Sequence, residues 1–148
     1  VRGIRMNYLI LVSHGQFSEG LRDALSMFIG DDIEQVRAIG LKSGEDTTNF
    51  GSRFKSLLSD IAPDDGLIVL GDIIGGSPLT TVTDILNQQQ RLSETIVLGG
   101  MNFPMALNAA ILKNTMSGDD LVSAVLHEAT TAVKQFELIE ADEDEDEI

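Results

Sequence analysis

The chain has 148 residues, 43% hydrophobic and 23% charged, which is the size and balance of one globular domain able to bury a core. It has no cysteine, which excludes a disulfide framework, a thiolate metal site and a cysteine nucleophile. The net charge of −14 is concentrated in a terminal block, Glu140 and Asp142 to Glu147, and the rest is still acidic, which argues against nucleic acid and anionic membrane surfaces as partners.

No apolar run approaches the ~20 residues of a membrane-spanning helix and no signal-peptide pattern is visible, so a cytoplasmic location is expected. Residues 1–5, VRGIR, read as an expression remnant. The domain is expected over 6–140, and 141–148 as a disordered acidic tail. The run YLILV, Tyr8 to Val12, is continuously apolar, as in a strand covered on both faces. Leu21, Ala24, Leu25, Phe28 and Ile29 then share one face of a helix that Gly30 ends. IEQVRAIGL reads as a more exposed second strand. Phe50, Phe54, Leu57, Leu58 and Ile61 mark a second helix, closed by PDDG. LIVLGD is a buried third strand and SPLTTVTDILNQQ the helix after it. ETIVLGG is a fourth strand, followed by the helix FPMALNAAILKN. A last helix from about Asp119 to Val133 leads into KQFELIE, a short edge or exchanged strand.

That alternation predicts an α/β fold: a doubly wound, mainly parallel four-stranded sheet with helices on both faces plus a C-terminal strand. In such sheets ligands bind beyond the carboxyl ends of the strands, where strand order reverses. His14, Asp72 and Gly99-Gly100 all follow strands on that edge. An imidazole there can serve as base, metal ligand, nucleophile or simply a cap. A carboxylate from the neighbouring strand would fix its tautomer and raise its basicity, so His14 and Asp72 form the candidate catalytic pair.

Gly15 frees the turn after His14. In GGSP, Gly75 and Gly76 are expected to take positive φ and approach a ligand closely, with Ser77 as helix N-cap and Pro78 at the first helical position. Gly15, Gly75, Gly76 and Ser77 are therefore the candidate phosphate cradle. No nucleotide motif is present, no metal-ligand set converges, and His127 reads as a surface residue of the last helix, so neither metal nor cofactor is expected.

Three stretches, ILVSHGQFSEGL, GLIVLGDIIGGSP and VLGGMNFPMAL, together resemble the mannose-family IIA component of the bacterial phosphoenolpyruvate-dependent sugar phosphotransferase system. The similarity runs from about Met6 to FELIE. It implies that His14 is the phosphorylated histidine, Asp72 its hydrogen-bonding aspartate and Ser77 the serine beside the phosphoryl group. It further implies a phosphohistidine relay for sugar uptake. HPr would be the donor, a IIB component the acceptor and the membrane IIC/IID permease an indirect partner. A homodimer that exchanges its C-terminal strand is also implied. Ile73-Ile74 stand where some members carry an aromatic residue, and the acidic tail lies outside the shared pattern. A related branch serves dihydroxyacetone kinase as a phosphotransfer subunit; GGSP is closer to the sugar branch. A phospho-regulatory module of the same fold and a His-Asp hydrolase are the remaining alternatives.

Overall fold

The structure is a computed structural model that describes residues 5–139. Residues 1–4 of the expected remnant and all of 140–148, the acidic tail, lie outside the described residues. The elements are β1 (Asn7–His14), α1 (Phe17–Ile29), β2 (Val36–Leu41), α2 (Thr47–Leu58), β3 (Gly66–Gly71), α3 (Ser77–Gln88), β4 (Ile96–Leu98), α4 (Phe103–Leu112) and α5 (Gly118–Thr131). All strand pairs are parallel, in the order β2-β1-β3-β4. Strand order therefore reverses at β1 and β3, whose carboxyl ends lie side by side in the register Val12 to Gly71.

Both central strands are apolar throughout because both faces are covered. Leu9 and Leu11 of β1, with Ile68 and Leu70 of β3, pack under α1, α4 and α5. The alternate residues Ile10, Val12, Leu67 and Val69 pack under α2 and α3, against Phe50 and Phe54. The period of two along each strand thus divides one run into two cores.

Several local expectations are corrected. Residues Gly30–Gln35 form a short 3-10 helix, so the second strand begins only at Val36. Ile61 lies beyond α2 yet stays buried, and β4 is only three residues long. Gly76, not Ser77, is the N-cap of α3, with no side-chain capping bond. The segment KQFELIE forms no strand in the single chain over its described residues, where Phe136, Leu138 and Ile139 are 87%, 91% and 68% exposed.

The turn from β1 into α1 is held by two buried serines. Ser13 Oγ accepts the backbone N–H of Ser18 at 2.8 Å, satisfying a free donor in the first turn of α1. The Ser18 hydroxyl donates to the carbonyl of Ile39 in β2 at 2.9 Å. Directly beneath, a Cβ at Gly40 would lie 1.7 Å from the carbonyl oxygen of Gly15, so only glycine lets that turn cross β2. Gly15 N–H donates to Leu41 O at 2.8 Å and closes the crossing.

In urea unfolding, Ser13→Ala is expected to lose about 1–2 kcal/mol, as for loss of a helix cap. Gly40→Ala is expected to lose at least about 1–3 kcal/mol, because the obstructing atom belongs to the backbone and cannot rotate away.

Candidate active site

His14 is the last residue of β1 and Asp72 the first after β3. The β1–β3 ladder continues one step past the strand, with Asp72 N–H donating to Val12 O at 3.1 Å. That step delivers the carboxylate to His14. One oxygen, Asp72 Oδ2, accepts both the His14 backbone N–H at 3.0 Å and, at 2.9 Å, the imidazole Nδ1. The other oxygen accepts the N–H of Ile73 at 2.9 Å. Burial pushes the Asp72 carboxyl up, but the His14 backbone N–H, the imidazole and the Ile73 N–H outweigh it and hold the group below its ordinary value. An ionised carboxylate only accepts, so Nδ1 carries the proton and the Nε2 lone pair is left free. The Asp72 side chain is 14% exposed and that of His14 48%, so the ring is anchored at one edge and open at the other.

The open edge faces the start of α3. A Cβ at Gly76 would come 3.0 Å from His14 Cε1 and 3.7 Å from Nε2. Gly76 has φ of −79°, so the expected left-handed conformation is absent here; close approach to the ring is what requires glycine. Gly75, at φ +87°, does adopt it, as expected, and so does Gly15, at φ +57°, in the turn after His14. The first helical bond of α3 runs from Thr80 N–H to Gly76 O. The N–H groups of Ser77 and Leu79 precede it and present the partial positive charge of the helix end. Ser77 is exposed at the first position of that helix. His127 is exposed on α5, remote in sequence from this group, and among the described residues no three His, Asp or Glu side chains form a metal-ligand set.

Sequence reasoning missed the support of this site. Arg53 of α2 donates to the carbonyl of Gly40 at 2.7 Å and pairs with Glu45, whose carboxylate also accepts the Lys42 N–H at 3.0 Å. The Arg53 hydrogen bond, followed by that of Lys42, holds the Glu45 carboxyl down to about 2. This clamp fixes the end of β2 under the Gly15 turn. A glycine inside a strand pattern was the available signal for it, since Gly40 marks a close backbone approach. Ile74 lies over Gly99, where a Cβ would meet its Cγ1 at 2.1 Å, so the loop after β3 is seated on the end of β4.

The sequence matches the family described as the PTS system fructose IIA component over residues 8–126. The fructose-specific EIIA component of Bacillus subtilis (strain 168) is 24% identical over 115 residues, covering 78% of this chain and 76% of that protein. The sorbose-specific EIIA component of Klebsiella pneumoniae is 24% identical over 138 residues, covering 91% and 98%. Among solved structures, the PTS IIA protein associated with the fucose utilization operon of Streptococcus pneumoniae superposes with a TM-score of 0.73 at 25% identity, covering 88% of this chain and 93% of that one. With 119 consecutive positions matched, strand ends and site loops included, the chain belongs to the family of PTS fructose IIA components.

Proposed function

We propose that the protein is a phosphohistidine relay in a sugar phosphotransferase system, accepting a phosphoryl group on His14 from HPr and passing it to a IIB component. The observation that carries this reading is the imidazole held at Nδ1 by Asp72, with Nε2 free beside the uncapped start of α3. The Nε2 lone pair attacks the phosphorus of the donor phosphohistidine. A new N–P bond forms as the donor's N–P bond breaks, and its ring leaves with that electron pair. The positive charge passes to the His14 ring, where the Nδ1–H bond to Asp72 stabilises it. The backbone amides at Gly75, Gly76 and Ser77, with the Ser77 hydroxyl and the turn at Gly15, receive the phosphoryl oxygens. Exchange between two phosphohistidines is nearly balanced, so positioning supplies most of the catalysis. The proposed setting is cytoplasmic, with the IIC/IID permease an indirect partner; no described helix is long and apolar enough to cross a membrane.

The proposed assembly is a homodimer. β4 is one of the sheet's two outer strands, and the segment after α5 carries Val133, Phe136, Leu138 and Ile139, all more than two-thirds exposed. Those side chains would be covered if the segment added to the β4 edge of a second copy.

Incubation with phosphoenolpyruvate, enzyme I and HPr is expected to place acid-labile phosphate on the wild type and on His127→Ala, and none on His14→Ala. Label that is retained by His14→Ala, or that never passes to IIB, would overturn the relay. Asp72→Asn should slow transfer about ten- to a hundredfold, the worth of one charge-assisted hydrogen bond.

The same residue contributes to acid stability. Its folded-state value is depressed, so it stabilises the fold above the unfolded carboxyl value of about 3.9, and that contribution is lost as pH falls through the folded value. Asp72→Asn should flatten this part of the stability–pH curve in urea titrations. In sedimentation, deletion from Asp142 onward should leave a dimer, and deletion from Lys134 onward should yield monomer or aggregate.

A further inference from the structure

At the opposite edge of the sheet from His14, the amino ends of the strands open on a cavity of about 530 Å³. Arg5 and Asn7 at the start of β1, Glu94 ahead of β4 and the connection from α4 to α5 line it. Its size falls within the ~300–1,000 Å³ of small-molecule sites. Nothing in the proposed relay uses it.

Lys113, the C-cap of α4, lines this cavity and is 4% exposed. Among the described residues its ammonium makes no hydrogen bond or ion pair. No buried side-chain nitrogen among the described residues is left without a partner, so this ammonium keeps contact with solvent, and a bound anion would pair with it in place of water. Burial pushes this group below its ordinary value, and the charge of Asp32 partly opposes that. The fourteen-residue α5 begins on the same cavity, and its N-cap, Ser117, makes no side-chain capping bond. The first N–H groups of α5 therefore offer a second attraction for negative charge.

Glu94 and Asp119 also line the cavity, which makes its charge mixed. A bare anion would be repelled by those two carboxylates. A ligand with one anionic group and several hydroxyls would use both kinds of lining, since carboxylates accept hydroxyl hydrogen bonds.

We propose that this cavity binds a sugar phosphate, with its phosphoryl group at Lys113 and the start of α5 and its hydroxyls donated to Glu94 and Asp119. The site is separate from His14, and its occupancy does not depend on the relay. The test is NMR titration of the full-length 15N-labelled chain with D-glucose 6-phosphate, with inorganic phosphate and D-glucose as separate arms. Saturable shifts are expected at the amides of 114–119 and not at His14, Gly75 or Gly76. Inorganic phosphate should bind more weakly, and glucose should give no saturation.

Lys113→Met should weaken sugar-phosphate binding about tenfold or more, the loss of a charge-assisted contact. Lys113→Gln serves the same purpose if methionine alters the dispersed spectrum. Equal binding of inorganic phosphate, shifts undiminished in the folded Lys113 variants, or no saturable shift in the millimolar range would each overturn the proposal.

Discussion

A single carboxylate oxygen joins the two central strands at the place where the chemistry is proposed to occur. Asp72 Oδ2 accepts the His14 backbone N–H and the His14 ring together, so the strand end and the side chain are fixed by the same atom. That arrangement rests on the register between β1 and β3. A slip of one residue would turn Asp72 to the other face of the sheet and leave the imidazole without its orienting partner. The two hydrophobic cores resist such a slip, because every alternate side chain of both strands is committed to one face or the other.

Around this contact the dominant requirement is space rather than added interaction. Gly40 lets one turn pass over β2, and Gly76 lets the start of α3 touch the ring. Polar groups then hold the crossing at Gly40 in place: the Ser13–Ser18 pair from one side and the Arg53–Glu45 clamp from the other. The ring's free edge stays open, which suits a site whose reaction partner is proposed to be another protein.

The elements with strong local signals were legible in the sequence. The uninterrupted runs of β1 and β3 announced strands buried on both faces, and the motifs after them fell on one edge of the sheet. The placement of His14 beside Asp72 followed from topology alone, because order reversal at those strands makes their ends neighbours. What escaped was set by tertiary contact. Ile33, Glu34 and Gln35 open the run IEQVRAIGL that reads as a strand, yet the 3-10 turn that precedes β2 takes them. Arg22 donates to the carbonyls of Ile33 and Val36 there and holds that turn against α1. Ser77 beside Pro78 carries a capping signature, but the helix starts one residue earlier than that signature implies. The serine network needs β2 to be in place before either hydroxyl has a reason to be buried. The C-terminal segment has the composition of a strand, and over its described residues it pairs with no strand of the single chain.

His14 and Asp72 are 58 residues apart in sequence, and all of β2 and α2 lies between them. Closing so long a loop carries an entropic cost that is repaid only when β3 docks beside β1. During synthesis the histidine therefore emerges well before its carboxylate partner, and no amino-terminal fragment that stops short of β3 holds both. The paired imidazole can exist only in a chain whose β1 and β3 are joined. Competence for phosphoryl transfer, on the proposed relay, would then also report the docking of β3 beside β1, and a chain without that pairing would be excluded from the relay without a separate checkpoint.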